Sequence, residues 1–229
     1  RRQPREGLIT ALVEAEEAGD RLSEDELVAM LFLLLIAGHE TTVHLITSTT
    51  IALLERPEQK KKLMSDWSHV ETAVEESLRF NSPVMFAKAR FASRDMEFFG
   101  QTLKQGDYVI PALASANRDE AFFANAGKYE VERANANRHV ALGGGVHFCL
   151  GAKLTRTEAS IALEALFTRL PELHLAIPAE KIPYATSLGV IRGVKALPVK
   201  IGKPAMATAS AIDPAGSICH STICDSLAC

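Results

Sequence analysis

Residues 140–151 read VALGGGVHFCLG: three consecutive glycines, Gly143 to Gly145, then His147, Cys149 and Gly151. Glycine permits backbone dihedrals and close approaches that other residues forbid, so the chain can fold tightly beneath the cysteine. The residues that follow, AKLTRTEASIALEALFTRL, carry a strong helical pattern. A thiolate at a helix N-terminus is stabilised by the helix dipole and by free N–H groups. The stretch therefore makes a socket for a soft donor to a metal lying close to the backbone. The plain alternative is that a lone cysteine is a small buried hydrophobe. A glycine run by itself suggests a phosphate loop, but neither G-x-G-x-x-G after a strand nor G-x-x-x-x-G-K-[ST] is present.

Composition sets the frame around this loop. The chain has 229 residues, 47% hydrophobic and 23% charged, enough for one ordinary soluble domain with a sizeable core. A net charge of −3 gives no reason to expect nucleic acid or an acidic membrane surface as a partner. Of the four cysteines, Cys219, Cys224 and Cys229 crowd the last eleven residues, so the body holds only Cys149. That usage argues against a disulfide framework and for a reducing compartment, the cytoplasm.

Working outward, residues 5–18 place Leu8, Ile9, Leu12 and Val13 on one helical face, with Gly19 as the stop. Ser23 followed by Glu26 is a capping box. It opens a long helix running to Pro57, apolar nearly all round, which predicts a central buried helix. A membrane span is the competing idea, but the apolar run Leu27 to Ala37 is short for that and His39 and Glu40 interrupt it. Residues 57–80 read as a short helix and a second one ended by Ser82-Pro83. Residues 84–113 alternate, with turn signals at Gly100-Gln101 and Gly106-Asp107, and predict short antiparallel strands. Residues 114–139 read as loop with one helical turn near Asp119, residues 152–170 as a helix, and residues 172–201 as short strands. From Lys203 the chain turns small, polar and aperiodic, which reads as a disordered or non-native extension over 203–229. Cys219, His220, Cys224 and Cys229 there are spaced unlike the pairs of a standard zinc finger.

Two further motifs carry chemistry. AGHETT, Ala37 to Thr42, puts an acid and alcohols in the middle of an apolar helix, which is costly unless they are satisfied. Thr41 can bond back to a carbonyl one turn earlier and bend the helix. The plain alternative is a polar stripe facing water or another helix. Glu76 and Arg79 form E-x-x-R, a pair on one helical face whose default reading is a surface ion pair. Glu130 and Arg133 repeat the pattern.

Taken in order, AGHETT, ESLR and GGGVHFCLG resemble the motifs of cytochromes P450, in wording nearest the soluble bacterial ones. The resemblance covers roughly residues 1–202 and implies the C-terminal half of that fold: mainly α with small antiparallel β-sheets. It implies haem b as cofactor, with Cys149 as the thiolate ligand to iron, the ligation that favours O–O cleavage. It further implies that His147 and Arg90 hold the haem propionates and that Gly151 lets the chain pass close to the porphyrin. His139 either helps to hold haem or only caps the turn. Ala37 and Gly38 would line the oxygen pocket, with Thr41 holding oxygen and water and Glu40 feeding protons. Glu76, Arg79 and Arg133 would form a buried structural network, and Val84, Ala87, Leu188 and Val190 an apolar substrate pocket.

The function implied is a monooxygenase acting with O2 on a small organic substrate. Its electrons would come from a ferredoxin-type donor with an NAD(P)H-dependent reductase, since no flavin or nicotinamide fingerprint appears in the chain. A peroxide-using relative is the second reading, against which Glu40–Thr41 argues. A truncated haem-binding fragment without activity is the third. One departure stands out: Leu142 occupies the place of the family's usual aromatic, which implies a less shielded sulfur and an altered reduction potential.

Overall fold

The computed structural model describes residues 5–17 and 23–202. The readings of Gly19 as a helix stop and of residues 203–229 as an extension lie outside the described residues. Among the described residues six α-helices carry the architecture: α1 Leu8–Glu17, α2 Glu24–Leu54, α3 Pro57–Ser65, α4 Val70–Phe80, α5 Leu113–Ala116 and α6 Ala152–Arg169. Eight short strands among the described residues form four two-stranded antiparallel sheets. β1 (Arg90–Phe91) pairs with β4 (Tyr108–Val109), and β2 (Met96–Phe98) with β3 (Gln101–Leu103). β5 (His174–Leu175) pairs with β8 (Val199–Lys200), and β6 (Tyr184–Ser187) with β7 (Ile191–Val194). The fold class is thus the mainly helical one with small sheets. The isolated helical turn sits at α5, a little before Asp119, whose side chain accepts from the Ala121 N–H at 2.9 Å in the next turn.

α2 starts at the capping box: the Glu26 N–H donates to Ser23 Oγ at 3.3 Å and the Ser23 N–H donates to Glu26 Oε2 at 2.8 Å. Its C-terminal half is the spine of the core. Leu45, Ala52 and Leu53 pack there with Leu63 of α3, Val74 and Leu78 of α4, and Leu163 and Phe167 of α6. Two of the hydroxyls buried in this half are satisfied locally. Thr49 Oγ1 donates to the Leu45 carbonyl at 2.7 Å and Thr50 Oγ1 to that of Ile46 at 2.8 Å, the back-bonding that lets alcohols sit inside a helix.

The N-terminal half of α2 departs from the expectation of a helix buried along its whole length. Phe32 is 62% exposed and Leu35 69%, with Val28, Leu33 and Ile36 also open. By length and apolarity this helix also meets the requirement for crossing a membrane. α1 also meets α2 and Leu27 is buried, but most apolar side chains of the N-terminal half stay open, whereas α3, α4, α6 and β7 pack with the rest of the helix. The apolar pattern shows that the face needs a cover but not which element supplies it.

The β6–β7 hairpin lies against α2 at Gly193, where a Cβ would fall 2.0 Å from the His44 ring. Glycine there is a matter of space and brings the hairpin flush to the helix. The same hairpin pairs with the segment after α4: the Met85 N–H donates to the Val190 carbonyl at 2.8 Å, beside a bridge between Val84 and Ile191.

Candidate functional site

Cys149 lies on a single short turn leading into α6. Gly143 (φ +74) and Gly145 (φ +61) take left-handed backbone that an L side chain would strain. The turn closes when the Cys149 N–H donates to the Leu142 carbonyl at 2.9 Å and the Phe148 N–H to that of Gly145 at 3.1 Å. The Cys149 carbonyl then accepts from the Ala152 N–H at 3.2 Å, so the sulfur stands at the entrance of α6. Leu142 packs against the core, while Val146 (97% exposed) and Leu150 (88%) project from the loop on either side of the half-buried cysteine, with Phe148 also exposed.

The other candidate residues fall on several elements. Thr41 Oγ1 donates to the Ala37 carbonyl at 2.6 Å, and Glu40 lies 3.7 Å from His44 Nε2, one turn further along α2. Thr42 and Thr155 share a hydrogen bond of 3.2 Å, which joins the AGHETT turn of α2 to the first turns of α6 just after Cys149. Ala37, Gly38 and His147 are exposed. Arg90 is also exposed on β1, its Nη1 donating to the Lys88 carbonyl at 3.1 Å. Val84 and Val190 are brought together by the pairing of residues 84–85 with 190–191, and Leu188 (φ +50) projects from the β6–β7 turn. Ala87 is tied elsewhere, its N–H donating to the Pro111 carbonyl at 2.9 Å.

Behind the loop lies a buried ionic network. Glu76 and Arg79 are each 0% exposed and form a two-pronged pair, with Nε at 2.6 Å and Nη2 at 2.8 Å from the two carboxylate oxygens. Arg133 Nε donates to Glu76 Oε1 at 3.1 Å, and Arg133 Nη2 lies 2.7 Å from Glu130 Oε2. Both E-x-x-R pairs therefore belong to one cluster. The remaining guanidinium donors reach the carbonyls of Asn117, Ala124, Asn125, Ala126 and Lys128. Asn117, itself buried, accepts from the Val140 N–H at 2.7 Å through Oδ1 and so links the network to the start of the cysteine loop.

Glu75, next along α4, faces the other way. It accepts from His139 Nε2 at 3.0 Å and from Arg156 through both Nε and Nη2, the latter at 3.1 Å. His139 Nδ1 in turn accepts from the Ala141 N–H at 3.1 Å. Both ring nitrogens are thus engaged within the protein and the side chain is 1% exposed, so His139 caps the turn. Glu75, Arg156, Asn117 and Thr155 are absent from any motif. The doubled acid at Glu75-Glu76 is the one sequence signal that could have pointed to Glu75.

Burial pushes the Glu75 carboxyl up, but the hydrogen bonds from His139 and Arg156 and the charge of Arg156 outweigh it and hold it at about 2, below an ordinary 4.5. A carboxyl depressed on folding stabilises the fold fully above its unfolded value, and that stability is lost as pH falls through the folded one. Between 4.5 and about 2, stability should therefore fall more steeply in the natural chain than in Glu75→Gln. Urea midpoints measured across that range check this, and parallel pH profiles would refute it.

The loop's own features test whether haem suits it. Among the described residues no group of three His, Cys, Asp or Glu side chains could jointly hold a metal ion. A single thiol on a glycine turn suits an iron whose other donors come from its own macrocycle. Exposed apolar side chains beside the sulfur offer contact to a flat ring, and His147 and Arg90 are exposed residue types suited to carboxylates. The residues fit the group.

A model of the family described as Cytochrome P450 matches residues 1–171. The chain belongs to the cytochrome P450 family. It is 44% identical over 201 residues to the polyketide biosynthesis cytochrome P450 PksS of Bacillus subtilis, across 88% of this chain and 49% of that one. It is also 44% identical over 203 residues to the vitamin D(3) 25-hydroxylase of Pseudonocardia autotrophica, across 88% of this chain and 50% of that one. The solved structure of the tirandamycin C-bound P450 monooxygenase TamI superposes with a TM-score of 0.83 at 42% identity, over 88% of this chain and 50% of that one. The P450 chain described here thus spans about half the length of the curated relatives it matches. P450s are haem proteins and oxidoreductases, and the fold of this chain is the corresponding part of theirs.

Proposed function

We propose that this chain is the haem-thiolate part of a P450 monooxygenase that acts on an apolar organic substrate. The observation that carries the reading is the Cys149 thiol held at the entrance of α6 by a glycine turn whose amides are tied to Leu142 and Gly145. Haem b, when bound, supplies the redox chemistry that places one atom of O2 in the substrate while the other leaves as water. Cys149 binds the iron through its thiolate.

His147 and Arg90 bind the propionates, the guanidinium offering a planar fork to a carboxylate. Gly151, without a side chain, keeps the backbone close to the ring. On α2, Ala37 and Gly38 leave space, and Thr41 and Glu40 hold and pass protons. The Thr41 hydroxyl donates to the Ala37 carbonyl, so its lone pairs remain to accept a hydrogen bond. Val84, Ala87, Leu188 and Val190 present apolar surface to the substrate. Electrons come from a ferredoxin-type donor with its NAD(P)H-dependent reductase, and a cytoplasmic setting fits a body whose single cysteine is the ligand.

The test is the ferrous–CO spectrum of the chain supplied with haem. A strongly red-shifted Soret band is the expected result, and failure to take up haem ends the reading for this chain. Leu142→Phe restores an aromatic beside the loop, so a redox titration of the loaded protein should show a shifted potential. An unchanged potential would mean that shielding of the sulfur is not set at residue 142.

A further inference from the structure

We infer that Glu75 is a positioning residue for Cys149: a single carboxylate on α4 fastens both limbs of the cysteine loop, His139 before it and Arg156 after it. The role of the sulfur rests on the reading above; the clamp itself rests on contacts within the chain.

Three observations carry the inference. The contacts bridge 64 residues to His139 and 81 to Arg156, so Glu75 joins three separate segments. They also bracket the loop closely. His139 bonds to the Ala141 amide at 3.1 Å where the loop begins, and Arg156 lies in the second turn of α6, one residue after the Thr155 that meets α2. Lastly, the loop between the anchors is poorly held by packing: residues 144–148 and 150 are all exposed. A glycine-rich turn has more backbone freedom to lose than other sequences, so fixing its ends has a large effect on how sharply the sulfur is placed.

Glu75 is separate from the Glu76 network in what it holds. Glu76 braces Arg79 and Arg133 inside the core, whereas Glu75 reaches only the segments flanking Cys149. Arg133 and Lys153 line the same groove as Glu75 and Arg156, with Glu71 as the other acid. Glu75 itself is paired with His139 and Arg156.

The test uses the full chain, without haem, in a background where Cys219, Cys224 and Cys229 are replaced by serine. In Glu75→Gln, amide exchange over residues 140–151 should rise about tenfold while that of residues 45–53 stays the same. The reaction of Cys149 with Ellman's reagent should accelerate by a similar factor. Should Glu75→Gln unfold the chain, Arg156→Gln, at a partly exposed position, carries the same test. Unchanged exchange, or a rise spread evenly through the core, overturns the clamp. In the haem-loaded protein the clamp also calls for a displaced or weakened ferrous–CO band in Glu75→Gln with unchanged circular dichroism. A natural chain lacking that band would count against haem-thiolate ligation and leave the exchange result standing. A natural chain with the band but no exchange effect would remove the clamp alone.

Discussion

Replacing Glu76 with glutamine should cost about 3–5 kcal/mol of stability, the range for breaking a buried ion pair from one side. The substitution keeps the shape and removes one negative charge, leaving two guanidinium groups that are each nearly or fully buried. Their remaining donors still reach carbonyls on residues 117–128, so the hydrogen bonds are only partly lost. The cost arises because two cations, Arg79 and Arg133, then face one another without the shared anion. Urea denaturation at neutral pH gives the number directly. A loss below about 1 kcal/mol would mean the network behaves as a surface pair does. Because Asn117 ties this network to the Val140 amide, the cysteine loop should loosen along with it.

The second large effect is spectroscopic. Cys149→Ala should abolish the red-shifted ferrous–CO band completely while leaving the fold intact. The alanine methyl fills much of the half-buried site, and the turn is held by the main-chain bonds of residue 149, which the substitution retains. Thermal melting should therefore change little, within about 1 kcal/mol for a position outside the packed core. Haem content and the CO spectrum are read on the same sample as the melt. Retention of the red-shifted band would exclude Cys149 as the ligand, since it is the one cysteine before residue 219.

These two variants probe different layers of one arrangement. α4 carries two adjacent acids, one turned into the core and one turned toward the segments that flank the sulfur. The inner acid sets the stability of the region. The outer one, on the inference above, sets the placement of the loop. The P450 chain thus uses a single short helix to support its candidate ligand from behind, while α2 meets the following helix through Thr42 and Thr155.

By itself the sequence determined the local parts. The Ser23–Glu26 capping box, the back-bonding threonines of α2, the glycine turn under Cys149 and the start of α6 all follow from contacts within a few residues. Motif order also identified the family, because AGHETT, ESLR and the cysteine loop are contiguous strings. Only the tertiary structure decided which distant side chains meet. His139 with Glu75, Arg156 with Glu75, and Thr42 with Thr155 join residues 64, 81 and 113 apart. Such partners are chosen by how α2, α4 and α6 pack, and no spacing rule reaches across that distance. The same reason explains α2: its composition called for burial along its whole length, but packing among the described residues leaves Val28, Phe32, Leu33, Leu35 and Ile36 of its N-terminal half open.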